Sequence, residues 1–281
     1  MRICESIEEM RKARVLISQD RRVGFVPTMG ALHEGHLSLV RAARKQCHTV
    51  VVSIFVNPLQ FGPREDLAKY PRTFNRDREL LEREQVDIVF APSVDDMYPK
   101  GALTYVTVEG MSEKLCGRSR PGHFRGVTTV VAKLFHIVEP ELAFFGQKDA
   151  AQCAIIRRMV RDLNLPVQIV VEPIVREADG LAMSSRNAYL SPQDRKSARV
   201  LYHALGEVRK GFDQGERNAD ALVRAGKRAL ATEPAARLDY LEIVDPDTLD
   251  PISDIRSAAL VAVAALVGET RLIDNILLPP A

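Results

Sequence analysis

Val23 to His36, VGFVPTMGALHEGH, is the stretch that decides how this chain is read. It opens with a short apolar run, Val23 to Val26, closed by Pro27. A glycine-containing turn then leads into Gly35 to Gln46 (GHLSLVRAARKQ), where Leu37, Val40 and Ala43 recur at helical spacing with the basic residues away from them. Strand, turn and helix in that order predict the start of an alternating α/β unit. In an open parallel sheet, ligands bind beyond the carboxyl ends of the strands. The helix that follows offers unpaired N–H groups and the positive end of its dipole to a phosphate. His33 and His36 are three apart and project from nearly the same face of that first turn. Two imidazoles there can donate to phosphate oxygens and stabilise the charge that develops as one phosphate leaves another. Gly30 and Gly35 let a nucleotide approach the backbone closely. A purely structural reading has His33 capping the helix and His36 as a satisfied surface residue. Zinc is a weaker reading, because HEGH is not HExxH and no third ligand is evident nearby.

The alternation continues outward. Val50 to Val56 (VVVSIFV) is continuously apolar and rich in β-branched residues, as a parallel strand covered on both faces requires. Arg76 to Glu84 reads as a helix, Asp87 to Phe90 as a strand, Thr128 to Val138 as a helix, Leu142 to Phe145 as a strand and Ala150 to Asp162 as a helix. The fold class is therefore α/β, a doubly wound parallel sheet, over residues 1–175. After Val175 the texture changes. The loop ADGLAMSSRNAYLS is followed by Ser191-Pro192, an N-cap with proline at the first helical position. A smaller C-terminal α+β domain is expected over 176–281. Its helices span about Pro192 to Lys210 and Ala219 to Ala231, and its strands lie near Tyr240 to Val244, Ala259 to Ala265 and Arg271 to Ile276.

Composition narrows the classes of function. With 281 residues, 46% apolar and 27% charged, the chain is long enough for two ordinary domains and too apolar for disorder. Thirty-nine basic against thirty-seven acidic side chains leave +2, far from the excess of a protein that coats nucleic acid. The four cysteines lie far apart without a CxxC pair, which suggests reduced thiols and neither a zinc site nor a disulfide framework. The opening MRICESIEEMRKAR carries charges where a signal peptide needs an apolar stretch, and the longest apolar run, Ser257 to Gly268, falls short of the ~20 residues that span a bilayer. A cytoplasmic protein without a membrane partner is expected.

Other segments repeat the chemistry of the first. Gly146-Gln147-Lys148-Asp149 also sits between an apolar strand and a helix, where Lys148 can meet nucleotide phosphates as a point charge. Met183-Ser184-Ser185-Arg186, at the domain junction, supplies two hydroxyls and a guanidinium suited to a triphosphate. Gln60, in Asn57-Pro58-Leu59-Gln60-Phe61, can bond a substrate hydroxyl or carboxylate. Arg118, Arg120, His123 and Arg125 form an expected anion-attracting loop, and Asp77 is a possible magnesium contact. No nucleophile elbow and no Walker A sequence is present, so the inventory supports acyl activation by a nucleotide rather than hydrolysis through a covalent enzyme.

Taken together, PTMGALHEGH, FVNPLQFGPREDLAKYPRT, RPGHFRGV, FFGQKDAAQ and VREADGLAMSSRNAYLS resemble the pantothenate synthetase, or pantoate–β-alanine ligase, family. The likeness is dense over residues 1 to 190 and looser beyond. It implies a Rossmann-like domain of the HxGH nucleotidyltransferase superfamily, a C-terminal lid domain and a homodimer. It also implies a two-step reaction: ATP and (R)-pantoate give pantoyl adenylate and pyrophosphate with Mg2+, and β-alanine then gives pantothenate and AMP. Carried over by position, Met29, Gly30, Ala31, Leu32, His33, Glu34, Gly35 and His36 line the ATP site, with His36 in the proton-donor position. Gln60 and Gln152 hold pantoate, and Gln60 also lies near β-alanine. Gly146, Gln147, Lys148, Asp149 and Val175 hold adenosine, with Lys148 reaching toward phosphate. Met183, Ser184, Ser185 and Arg186 form a loop over the triphosphate, and Asp77 is the metal candidate. The chain departs from some members in carrying Asn75 and Arg76 where they have acidic residues, and Ala150 and Ala151 where they have bulkier ones. Two other readings stay open: an adenylyltransferase of the same superfamily that retains AMP in its product, and a non-catalytic nucleotide- or RNA-binding module.

Overall fold

The computed structural model describes residues 1–18, 20–63 and 65–280. In chain order its main elements are β1 (Arg2–Cys4), α1 (Ile7–Val15), β2 (Val23–Thr28), α2 (Glu34–Gln46), β3 (Thr49–Ile54), α3 (Phe74–Arg83), β4 (Ile88–Phe90), α4 (Val94–Met97), α5 (Cys116–Ser119), α6 (His123–Val138), β5 (Leu142–Gly146), α7 (Ala150–Asp162), β6 (Gln168–Glu172), α8 (Pro192–Ala198), α9 (Val200–Asp213), α10 (Ala219–Leu230), β7 (Ala236–Val244), β8 (Ala259–Val267) and β9 (Thr270–Leu278). The chain divides into two compact units. The first holds Met1–Ser112, Arg120–Gly146 and Ile155–Pro173; the second holds Glu113–Ser119, Gln147–Ala154 and Ile174–Ala281.

The first unit is built on a six-stranded sheet of order β1-β4-β3-β2-β5-β6, with every pair parallel. From β2 the chain winds outward through β3 and β4, then crosses back to lay β5 and β6 on the other side. The winding reverses between β2 and β5, and such a switch point is where an open sheet binds its ligand. The register shows why a crevice opens there. β2 pairs with β3 along its full length, from Val23↔Thr49 to Thr28↔Ile54, but with β5 only at Gly24 and Phe25. Past Phe25 the two strands part toward their carboxyl ends. Pro27 lies inside β2, one residue beyond the strand end expected at Val26. Its missing N–H falls past the last β2–β5 pair, where no ladder bond is lost.

Successive residues of β2 face opposite layers. Val26 packs with Leu39, Val40 and Ala43 of α2, while the Phe25 ring meets Phe135 of α6 edge-on with centroids 6.5 Å apart. The sheet is thus covered on both faces, and the doubly wound reading holds. Some boundaries differ. α6 starts at His123, five residues before the expected Thr128, because Gly122 adopts φ 82° and turns the chain into the helix through a segment whose charges read as loop. β3 stops at Ile54, short of Val56. β1, α1 and β6 were not expected. β1 is three residues long, and β6 is a half-buried edge strand whose apolar run is only IVV.

The second unit carries the antiparallel sheet β7-β8-β9. β8, ALVAVAALV, is its central strand and is buried at every position except Leu266, as the longest apolar run predicted. Leu201, Leu205, Val208 and Phe212 of α9 and Leu222 of α10 form a core with Val261, Val263 and Ala265. The single helix expected over Pro192 to Lys210 is two, α8 and α9, which meet at Arg199. Ser191 caps α8 as expected, accepting from the Asp194 N–H.

One close approach in the first unit sets the position of Gln60. α6 lies so near the short 3-10 turn Pro58–Gln60 that a Cβ on Gly126 would stand 2.3 Å from the Leu59 carbonyl oxygen and 2.6 Å from the Gln60 nitrogen. These are backbone atoms, so relief requires the turn to move. Gly126→Ala is expected to destabilise the protein by about 1–3 kcal/mol in denaturant unfolding, the range for overpacking a fitted contact. An unchanged midpoint would contradict this packing.

Candidate active site

At the end of β2 the Thr28 hydroxyl donates to the Ser53 carbonyl at 2.7 Å and accepts the Gly30 N–H at 3.2 Å, which begins the turn. Gly30 (φ 78°) and Ala31 (φ 52°) are both left-handed. Ala31 and Leu32 then donate their N–H groups to Asp77 Oδ2 and Oδ1, both at 2.9 Å. Leu32 is buried in the core, and His33 becomes the N-cap of α2.

The two histidines cap the helix reciprocally. His33 Nδ1 accepts the Gly35 N–H at 3.2 Å, and His36 Nδ1 accepts the His33 N–H at 3.4 Å, with ring centroids 4.1 Å apart. An imidazole that accepts at Nδ1 carries its proton on Nε2 when neutral, so one set of backbone bonds fixes both tautomers. The capping role and a donor role are therefore compatible. Glu34 adds its backbone to this first turn. Its carboxylate is held by Arg41 at 2.5 and 2.9 Å, which keeps it below the usual carboxylate range, and Arg41 also binds Glu84.

Gln60 is brought to the same turn. Its Nε2 donates to Met29 Sδ at 3.1 Å, and its Oε1 accepts from Asn57 Nδ2 at 3.0 Å. Asn57 is buried. Its Nδ2 also reaches the Gly126 carbonyl at 3.0 Å, and its Oδ1 accepts the Tyr98 hydroxyl at 2.8 Å. Burial pushes the Tyr98 phenol well up, so it remains a donor. Asn57 thus fixes which way the Gln60 amide faces.

The residues of the expected anion-attracting loop have partners of their own. Arg120 is clamped by Glu65 at 2.6 and 2.8 Å and donates to the Gln60 carbonyl at 3.2 Å, and His123 Nδ1 donates to the same carbonyl at 2.9 Å. Burial pushes the Glu65 carboxyl up, but the Arg120 hydrogen bonds outweigh it and hold the group low. Arg125 stacks over Tyr105, and Arg118 pairs with Glu242. Each of these arginines has a partner, and two members of the segment, Arg120 and His123, brace the Gln60 turn, while Arg118 and Arg125 stay exposed.

In the second unit, Asn275 pins the Gln147–Asp149 turn. It donates to the carbonyls of Gln147 at 2.9 Å and Lys148 at 3.0 Å, and accepts from Gln147 Nε2 at 3.0 Å. Lys148 Nζ lies 3.4 Å from Asp149. Gln152, partly exposed, follows one turn later on α7. Val175 and Met183 form the ends of a hairpin, the Met183 N–H donating to the Val175 carbonyl at 3.0 Å, and Gly180 turns it at φ 90°. Ser184 Oγ accepts from the Arg186 N–H at 3.3 Å and caps the short 3-10 helix Ser185–Tyr189. Arg176 holds Asp274 at 2.6 and 2.9 Å, while burial pushes the Asp274 carboxyl up despite that partner. Gly146 belongs to the first unit, in register with Glu172 at the carboxyl end of β5.

Sequence reasoning missed Asn57, Tyr98, Arg176, Asp274 and Asn275. A signal existed for two of them: Asp274-Asn275 is a polar pair within the apolar strand RLIDNILL, and both side chains are buried. Among the described residues, no group of three His, Cys, Asp or Glu side chains is arranged to hold a metal ion, and no helix is long and apolar enough to cross a membrane.

Proteins of known family resemble this chain over its whole length. The sequence model of the pantoate-beta-alanine ligase family matches residues 2–277. The pantothenate synthetase of Koribacter versatilis is 60% identical over 100% of this chain and 97% of its own length, and that of Thermotoga neapolitana is 57% identical over 99% and 100%. The crystal structure of pantothenate synthetase from Thermus thermophilus superposes with a TM-score of 0.95 at 52% identity, covering 100% of both chains. A pantoate-beta-alanine ligase from Francisella tularensis, solved with beta-gamma ATP and β-alanine, gives a TM-score of 0.82 at 34% identity over 99% and 97%. The doubly wound sheet, the switch point and these likenesses lead to one conclusion: the chain belongs to the pantoate-beta-alanine ligase family, enzymes that join pantoate to β-alanine.

Proposed function

We propose that this ligase uses ATP to activate (R)-pantoate as an acyl adenylate on the Met29–His36 segment, and then transfers the pantoyl group to β-alanine. The observation that carries this reading is the reciprocal capping of His33 and His36, which commits both Nδ1 atoms to backbone N–H groups, so that each ring in its neutral form carries its proton on Nε2. A neutral Nε2–H is a donor suited to the oxygens of a triphosphate at a helix N-terminus.

In the first step a pantoate carboxylate oxygen attacks the α-phosphorus, the bond from that phosphorus to the bridging oxygen breaks, and pyrophosphate leaves. His36 donates to the phosphate oxygens on which charge develops, with His33 beside it, and Lys148 and Arg186 add positive charge. Gln60 and Gln152 hold pantoate. In the second step the β-alanine amine attacks the acyl carbon, the carbon–oxygen bond to AMP breaks, and the amine loses a proton. Met29 to His36 line the ATP site, Gly146 to Asp149 and Val175 hold adenosine, and Met183 to Arg186 serve the triphosphate.

The functional division we propose is a nucleotide- and pantoate-binding domain over 1–175 and a lid over 176–281. A cytoplasmic homodimer is the assembly the family resemblance supports, and the four buried free cysteines suit a reducing compartment. Mg2+ accompanies ATP on its phosphates. Asp77, expected to hold it, has both carboxylate oxygens engaged by backbone N–H groups, so its charge already serves the turn at Ala31 and Leu32.

Product analysis with ATP, Mg2+, pantoate and β-alanine, omitting each in turn, tests the route. AMP and pyrophosphate are expected only with pantoate, and pantothenate only when β-alanine is added. AMP retained in the acceptor product would favour the adenylyltransferase reading, and a folded, ATP-binding protein without pantoate-dependent turnover would leave only a binding module. His36→Ala is expected to lower pantoate-dependent pyrophosphate exchange by about tenfold or more while the fold stays intact. Exchange near the wild-type rate would remove His36 from its role.

A further inference from the structure

We infer that Asp77 is the positioning residue of the ATP-binding turn, a carboxylate committed to the backbone N–H groups of Ala31 and Leu32 instead of to a metal ion. Asp77 is 1% exposed. Oδ2 accepts the Ala31 N–H and Oδ1 the Leu32 N–H, both at 2.9 Å, and the Thr73 hydroxyl stands 3.1 and 3.2 Å from the two oxygens. Thr73 is the N-cap of α3, yet its side chain bonds no helix N–H. Its hydroxyl serves the carboxylate. Asp77 is also the only acidic residue in the first turn of α3, with Asn75 and Arg76 before it. A cation held directly by this group would compete with those donors for the carboxylate's lone pairs and weaken its bonds to the Ala31 and Leu32 N–H groups.

The turn needs such a clamp. Ala31 holds φ 52° directly after Gly30 at 78°, a conformation that an L-residue with a Cβ adopts at a penalty. The carboxylate also packs against the turn itself: a Cβ on Gly30 would lie 3.0 Å from Asp77 Oδ2 and 3.1 Å from Ile54 Cγ2. Leu32 leads directly into His33, so a turn released at Ala31 would carry the histidine cap with it. Asp77 thus acts on ATP chemistry through the backbone of residues 31 and 32. Because this role rests on the reading of Met29 to His36 as the ATP site, its first test is made without nucleotide.

Amide hydrogen exchange on Asp77→Asn provides that test, since the amide group offers one acceptor oxygen where the carboxylate offers two. Exchange at Ala31 and Leu32 is expected to accelerate about tenfold or more, with Phe25 and Val26 in β2 changed less than about twofold. Unaltered exchange at the two amides would overturn the role whatever the enzyme's activity. The second readout is the Mg2+ concentration giving half-maximal turnover, expected to stay within about twofold of wild type while kcat falls; a rise of about tenfold would make Asp77 a metal ligand and overturn the inference. Ala31→Gly in the Asp77→Asn background relieves the left-handed penalty and is expected to recover turnover about threefold or more, whereas no recovery would count against positioning. If Asp77→Asn fails to fold, Thr73→Ala gives the same reading, with faster exchange at Ala31 and Leu32 supporting the clamp and unchanged exchange refuting it.

Discussion

A single tight turn, in which two consecutive residues hold positive φ, governs what β2 can present to a ligand. The strand must stop at Thr28, reverse within a few residues, and begin α2 so that the helix N-terminus faces the carboxyl edge of the sheet. Thr28 bonds the first N–H of the turn, Asp77 the next two, and the histidine pair the N–H groups of His33 and Gly35. Few backbone donors in this stretch are left to water, which is the condition for placing a polar segment against a buried strand end. The geometry of the segment proposed to meet phosphate is thus held by side chains, one of them drawn from α3.

The same logic governs the second polar group in this unit. Gln60 sits on a turn of three residues, too short to be stable by itself. It is fixed by Asn57, by the closeness of Gly126 on α6, and by the carbonyl contacts of Arg120 and His123. The amide then has one defined orientation, with its nitrogen on Met29 and its oxygen on Asn57. In the other unit, Asn275 does for the Gln147–Asp149 turn what Asn57 does for Gln60. In both cases a buried asparagine, able to donate and accept at once, orders a short turn that has no regular ladder of its own.

How much of this was legible in the sequence follows from the range of the forces involved. Strong patterning revealed α7 residue for residue and β3 and β8 to within two residues at each end, because burial on both faces of a sheet, or on one face of a helix, writes itself into adjacent positions. The sequence marked His33, His36, Gln60 and the GQKD turn as polar groups at strand ends. What it could not display were partners distant along the chain. Asp77 lies 46 residues from Ala31, and Asn275 lies 128 from Gln147. Local pattern reads Asp77 as a magnesium contact, and Arg118, Arg120, His123 and Arg125 as an anion-attracting loop, whereas the fold gives each a specific partner within the protein. Pro27 misled for a related reason: proline ends a central strand only where the neighbour needs its N–H, and β5 has already turned away.

The proposed chemistry rests on the acyl adenylate. Pantoate with isotopically labelled carboxylate oxygens, turned over with ATP and β-alanine, tests it directly by following where the label goes. Attack of the carboxylate on the α-phosphorus, followed by attack of the amine on the acyl carbon, predicts that AMP leaves with one oxygen derived from pantoate while pyrophosphate carries none. Label in pyrophosphate or in orthophosphate, with unlabelled AMP, would place the attack at another phosphorus and contradict the adenylate route.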